Sequence, residues 1–552
     1  MIPRGSILRV GLAGLIVTMV VVPLALGSGA AVPTNENAKT LLVSIPGPFN
    51  GCSFLDQGAT ASSDAVLDLV RPSAFLTSPS GDLTGATGPI ASAELTSLTP
   101  ETVVYTIAPH QKWSNGVAFS GIDLVAWWQR ASGLASVLSD GYRSIKSIYV
   151  TNAGLTVTAV FAKPYAEWNL LFRDIEQPGT SSGCAISNLA QHPSLGPYVV
   201  KSATASRIVL AMNKTRTKDV SRFGRIVLSD SGAIPKSVSA SYASYTLGVN
   251  RAQLDALSAH PTVLSRIGTS SAVEEMTFAP THSLTRLLSI REALAWSPNR
   301  QTMINELWGA VTFSPLPATS ALFSQGQSSY PGASAGSPTS QATTTSTLST
   351  SAPPGFGDCI SCAINALAAL GYERSAHGLV DARGVRLSLR AVVGPSVVDH
   401  ASAALIAKSW KALGIEVNLV EARSDANAAY AVSIGRDDVA IFTRPTSTSA
   451  SYTARSWSGP AYFDAFSSGV RSASFAVLYT SAVSNFNASA ANATWLALDH
   501  AILKSYWVRP LFTPPSLVEW SNDLATVYPC LSVPGFLDQV SGWTISPVST
   551  GS

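Results

Sequence analysis

Residues 105–130 read YTIAPHQKWSNGVAFSGIDLVAWWQR, and they spell a strand, a turn and a capped helix. Val103, Tyr105 and Ile107 fall at every second position, the spacing of a half-buried strand. Ser114-Asn115-Gly116 is turn chemistry, because glycine adopts the positive φ that a tight reversal needs. Ser120 stands as N-cap of the helix that follows. Asp123, three residues on, is where a capping-box carboxylate reaches back. Ile122, Val125, Ala126 and Gln129 keep helical spacing, and Trp127 and Trp128 give the helix bulk.

A chain of 552 residues has enough apolar material for more than one core, since single cores stop growing near ~250–300 residues. It is 46% hydrophobic and 12% charged, which fits a folded rather than a disordered protein. The net charge is +3 and the basic residues are scattered, so no nucleic acid is expected as partner. Arg4 and Arg9 precede an apolar run over 10–26, and small residues follow at 27–31. This reads as a secretory signal peptide over residues 1–31, the alternative being an uncleaved membrane anchor. The first cysteine after the run is Cys52, so there is no lipobox cysteine. The protein is expected to be exported, to the periplasm or the cell-envelope exterior.

Five cysteines suit an oxidising compartment: Cys52, Cys184, Cys359, Cys362 and Cys530. Cys359-Ile-Ser-Cys362 lacks the βαβ setting of a redox motif and the second pair of a zinc site. A local disulfide, or one of this pair bonded elsewhere, is expected, and the odd count leaves at least one free thiol. Residues 179–183 (GTSSG) fit the G-x-S-x-G pattern, but loop chemistry precedes Ser181 where a nucleophile elbow needs a buried strand. The seven histidines lack metal-ligand spacing. No catalytic residue, metal or cofactor is expected, and the chain is not read as an enzyme.

Four more places are informative. Residues 193–213 (PSLGPYVVKSATASRIVLAMN) read as a Gly-Pro bend, a strand, a turn and a strand, with Tyr198 closing the core. Residues 289–309 (SIREALAWSPNRQTMINELWG) read as a helix that ends and restarts at Ser297-Pro298-Asn299. Residues 363–372 form a helix stopped by Gly371, then 387–393 a strand, 401–413 a helix and 414–417 a second strand. Residues 501–511 read as a helix leading to Arg509-Pro510-Leu511. Strands are also expected at 41–45 and 438–442, and a hairpin around residues 152–154.

Taken together these residues resemble the extracytoplasmic solute-binding proteins of family 5, the peptide, oligopeptide and nickel receptors of ABC importers. The matching positions are Lys112, Trp113, Ser114, Asn115, Gly116, Ser120 and Asp123; Gly196, Pro197, Tyr198, Lys201 and Asn213; and Arg291, Ala293, Leu294, Asn299, Arg300 and Gly309. The family's usual Leu-Asp-Pro loop is replaced here by Phe49-Asn50-Gly51-Cys52. The resemblance implies an α/β, two-lobed periplasmic-binding-protein fold (class II, cluster C type) with an extra inserted domain. Lobe I would comprise residues 32–55, 190–275 and 512–552, the inserted subdomain 56–189, and lobe II 276–511. Within lobe II, residues 318–356 form a Ser/Thr-rich insertion too poor in apolar residues to fold alone.

It further implies a monomer that captures a small solute, most simply a peptide or peptide-like molecule, and delivers it to an ABC permease. Family receptors for free peptides place an aspartate after the strand matched by 438–442; this chain has Thr443-Arg444-Pro445-Thr446 there. Arg444 favours an anionic or hydroxylated ligand, or else pairs with a neighbouring carboxylate. Tyr452, Trp457 and Tyr462 either stack on a ligand or pack in a core. Phe49, Asn50, Phe54, Arg444, Thr446, Tyr452 and Trp457 make up the candidate binding set. The alternative function is a cell-envelope scaffold or regulator that keeps the fold without binding a solute.

Overall fold

Lys39–Ser44 pairs in parallel with Phe223–Ser229 on one side and Ser241–Leu247 on the other, and these three strands are the centre of a seven-stranded sheet. The computed structural model in which they are seen describes residues 39–53, 55–56, 60–77, 83–85, 88–134, 139–180, 183–216, 223–230, 241–253, 263–309, 315–323, 325, 330–331, 358–446, 449–458, 466–525, 527, 535–537 and 540–545. The leader at 1–31, Phe54, Ser181, Tyr462, Cys530 and most of 318–356 lie outside these residues. Antiparallel strands Arg207–Met212 and Tyr198–Ala203 extend the sheet one way, and Pro515–Ser521 and Val263–Thr269 the other. Helix Ala61–Val70 covers one face, with Val66, Leu67 and Leu69 buried. Burying each such side chain stabilises by about 1.5–3 kcal/mol relative to exposure. Thr60 caps the helix, its Oγ1 accepting from Ser63 N.

The second sheet has five strands in the order Glu416–Glu421, Ser388–Val393, Val439–Pro445, Ala272–Phe278 and Val508–Phe512. The first three are parallel, joined through helices Val397–Ala412 and Asp425–Ser433; Ala272–Phe278 runs antiparallel to both its neighbours, so Val508–Phe512 has the direction of the first three. Ala272–Phe278 is buried along its whole length, as expected of a strand covered on both faces.

The third sheet is antiparallel: Ile90–Leu98, Glu101–Ile107, Thr156–Phe161 and Ile145–Thr151. Val103, Tyr105 and Ile107 point into its core, as their spacing predicts. Gly116 takes φ 87° in the expected turn, and Ser120 and Asp123 form a complete capping box at helix Gly121–Gly133. Not all of the residues at helical spacing face the core. Leu124, Trp127 and Ala131 are buried while Ile122 is 61% exposed. Asp123 lies on the buried side with them: besides accepting from Ser120 N it accepts from the buried indole of Trp113 at 2.9 Å.

The other family-like residues hold local structure together. Asn213 Nδ2 donates to Gly196 O at 2.9 Å, and Tyr198 Oη donates to Phe223 O at 3.1 Å. Asn299 caps helix Arg300–Trp308, and Gly309 closes it at φ 63°. Two helices begin earlier than expected. Ile360–Ala369 starts from Cys359, and Val397–Ala412 starts from a Ser396/Asp399 capping box. Disulfides join Cys52 to Cys184 and Cys359 to Cys362. Among the described residues no helix is long and apolar enough to cross a membrane.

Candidate functional site

Two short crossings connect the first and second sheets. Val263–Thr269 passes through Ser270 and Ser271 into Ala272–Phe278, and Val508–Phe512 returns through Thr513 and Pro514 into Pro515–Ser521. They run side by side, and Ser270 Oγ donates to Pro514 O at 2.6 Å. The parallel strands of both sheets aim their carboxyl ends at this place. In the first sheet Leu247 pairs with Ser516, next to the returning crossing. In the second, Pro445 pairs with Ala272, and Thr446 N donates to Ser271 O at 2.9 Å. Carboxyl edges of parallel strands are where open α/β sheets bind ligands. Here two such edges lie on either side of a two-strand hinge.

Arg444 sits on the second of these edges. Its guanidinium is buried and pairs with Glu275 at 3.0 Å, while Nη2 donates to Ala321 O at 2.7 Å. It also stands 6.0 Å from the ring of Trp457, on helix Ala450–Ser458. Arg444 Nη1 and Trp457 Nε1 are both buried donors with no acceptor among the described residues. Thr446 is buried beside the crossing. Tyr452, on the same helix, donates through Oη to Leu170 O at 3.3 Å. So Arg444, Thr446, Tyr452 and Trp457 gather at one edge. Phe49 and Asn50 belong elsewhere: Phe49 packs in the core of the first sheet, and the backbone of Asn50 exchanges hydrogen bonds with Ser63 Oγ.

Next to Arg444 lies a group that sequence reading missed. Thr443 Oγ1 is 2.7 Å from Glu274 Oε2 and 2.8 Å from Asp399 Oδ1, and Glu274 and Asp425 both hydrogen-bond Asp399. Glu274 and Asp425 thus stand against the Asp399 carboxyl away from water, which favours their own protonated forms. Burial first, then the charge of Asp399, raises Asp425 to about 8 and pushes Glu274 well above the usual carboxylate range. The Ser396-x-x-Asp399 capping pattern was the one visible signal; Glu274 and Asp425 carried none.

The segments that follow strand Val439–Pro445 also touch the third sheet's layer. Ser449 Oγ donates to Glu167 Oε2 at 3.1 Å, Ala166 N donates to Val483 O at 2.6 Å, and Arg455 pairs with Asp140. Burial raises Glu167 to about 7. One apolar cluster runs through this contact, from Tyr105, Trp127 and Phe172 to Ala454, Trp457 and Tyr479.

As for other chemistry, residues 173–178, just before Gly179, form no strand, as expected from their loop composition. Among the described residues Cys52, Asp56 and Cys184 come close enough together to be considered as metal ligands, but the two sulfurs are bonded to each other.

Mixed α/β lobes, two adjacent crossings and facing carboxyl edges define a two-lobed periplasmic binding protein fold. Solved structures agree: a periplasmic EDTA-binding protein, EppA, superposes at TM-score 0.75 over 94% of this chain and 100% of its own, at 18% identity. The oligopeptide-binding protein AppA from Bacillus subtilis, in complex with a nonapeptide, gives TM-score 0.75 over 93% of this chain and 100% of its own, at 12% identity. The model of the bacterial extracellular solute-binding proteins, family 5, matches residues 90–473, and the chain belongs to that family. The oligopeptide-binding protein OppA of Mycobacterium tuberculosis is 26% identical over 318 residues, 54% of this chain and 53% of that protein. The chain thus spans about half the length of the curated relatives it matches.

Proposed function

We propose that this chain is the extracytoplasmic receptor of an ABC importer, capturing a small peptide or peptide-like solute between its lobes and passing it to a membrane permease. The observation that carries this reading is the meeting of two carboxyl edges at a hinge of two crossings, an arrangement in which a solute touching both edges favours closure. The crossings at 270–271 and 513–514 would divide the lobes. Arg444 Nη1 and Trp457 Nε1 supply the expected contact for an acceptor on the solute, a carboxylate or carbonyl. A buried donor left unpaired costs about 1–3 kcal/mol, which a bound acceptor would offset. Glu275 would hold Arg444 in place, so that the arginine stands where peptide receptors of the family carry an acid. The mature chain would act as a monomer outside the cytoplasm.

A second reading has its own support. The apolar cluster that joins the third sheet's layer to Trp457 and Tyr479 uses the protein's own side chains, as a scaffold without a solute would. Thermal-shift measurements on residues 32–552 with di- to pentapeptides, sugars, polyamines and nickel separate the two. A ligand at 100 times its Kd adds about 2.7 kcal/mol to folding. A rise in melting temperature with one class supports the receptor; no rise with any of them, in well-folded protein, supports the scaffold.

A further inference from the structure

The Cys359–Cys362 disulfide takes no part in the hinge or the facing edges, and its surroundings are unlike those of Cys52–Cys184. Cys52 is buried, and its bridge spans a sequence separation of 132 residues. Cys359 and Cys362 bracket the first turn of helix Ile360–Ala369, with Cys362 exposed. Cys359 is itself the N-cap: its Sγ accepts from Cys362 N at 3.1 Å and lies 3.4 Å from Ser361 Oγ. The first turn holds no acidic residue. The preceding Asp358 has its oxygens engaged by Arg300 N, Arg300 Nε and Arg509 Nη2, so two guanidinium groups offset its charge. The packed helix Leu288–Trp296, whose Trp296 O accepts from Cys359 N, carries Glu292 with Arg291 beside it. Ile360 and Ile364 are 50% and 52% exposed on the same helix, which gives the disulfide an open apolar rim.

We propose that Cys359–Cys362 is a thiol–disulfide exchange site whose substrate is a dithiol. A reductant thiolate attacks the exposed Cys362 Sγ. The Cys359–Cys362 bond breaks, and its electron pair leaves on Cys359 Sγ as a thiolate. The Cys362 N–H and the helix N-terminus stabilise that charge, as they do for low-pKa cysteines at helix starts. The second thiol of the reductant then attacks its own sulfur in the mixed disulfide and expels Cys362 as a thiolate. The two protons of the dithiol pass to Cys359 and Cys362, so one dithiol is oxidised to a disulfide as one disulfide is reduced. The same steps reversed, with a disulfide as oxidant, restore the bond.

The test equilibrates the full mature chain at pH 7 with graded mixtures of reduced and oxidised dithiothreitol. Acid quench, alkylation and peptide mass spectrometry then report each cysteine separately. The Cys359–Cys362 pair is expected to be half reduced in a mixture about tenfold less reducing than Cys52–Cys184 requires, without loss of the folded melting transition. Reduction of both pairs together, or of Cys359–Cys362 last, overturns the proposal. A second measurement follows iodoacetamide alkylation of Cys359 in Cys362→Ser against pH. A midpoint below the ordinary ~8.5 of a free thiol supports the stabilised thiolate, and a midpoint at or above it sinks the mechanism.

Discussion

Arg444 and Glu275 meet at 3.0 Å with side chains only 2% and 1% exposed. Removing one member of such a pair leaves a buried charge without compensation and costs about 3–5 kcal/mol, whereas replacing both with apolar residues is often near neutral. Glu275→Gln is therefore expected to lower the urea midpoint sharply, and Arg444→Met with Glu275→Met to recover most of the loss. If Arg444 also holds the solute, the double variant keeps its fold and loses binding. A double variant that folds and still binds its solute unchanged would remove Arg444 from the site.

Asp123 does two jobs and Ser120 one. Ser120→Ala removes a cap and should cost about 1 kcal/mol. Asp123→Ala removes the return half of the capping box and strands the indole N–H of Trp113, buried at 0% exposure. It should cost about 1–3 kcal/mol more. Urea denaturation of the two variants side by side checks the order. Equal losses would mean that the Trp113 bond contributes nothing.

The protons that burial keeps on Glu274 and Asp425 give stability a definite pH slope. Asp425 stands at about 8 against an ordinary 3.8, so the folded state binds more protons than the unfolded state between those values. Its contribution is complete below pH ~4, falls as pH rises, and is lost above pH ~8, by at most about 1.4 kcal/mol per unit. Asp425→Asn should flatten the slope of unfolding free energy in that window. An unchanged slope would place the titration elsewhere.

What the sequence made legible was local. The Ser120–Asp123 box, the Gly-Pro-Tyr bend, the restart at Asn299 and the Cys359–Cys362 bridge each lie within a few residues of their partners, and backbone stereochemistry is enough to read them. Helical spacing alone did not say which face of helix Gly121–Gly133 is buried, because the acid Asp123 also bonds the indole of Trp113. The site was half legible. Arg444 could be picked out as the basic residue where an acid is usual, but its carboxylate partner lies 169 residues away on a neighbouring strand. Glu274 and Asp425 carry no local signal; only strand pairing and the close approach at Gly394 bring them against Asp399. Spacing in one sequence cannot report contacts of that range.

The contact between Tyr452 and Leu170 joins helix Ala450–Ser458 to the layer of the third sheet, 282 residues apart, and in the receptor reading it bears on closure. Tyr452→Phe deletes the donor and leaves the ring. Its net loss should be about 1 kcal/mol, the size of one neutral hydrogen bond. In the receptor reading that loss falls on the closed state alone, so the Kd for the solute rises about fivefold while isolated-lobe stability is unaffected. Arg455→Ala, which breaks the pair with Asp140 across the same contact, should act in the same direction. Calorimetric titration of both variants, with small-angle scattering of the unliganded proteins, checks this: weaker binding should come with a larger radius of gyration. Weaker binding at an unchanged radius would instead make Tyr452 a direct contact of the solute, and a larger radius at unchanged affinity would uncouple closure from capture.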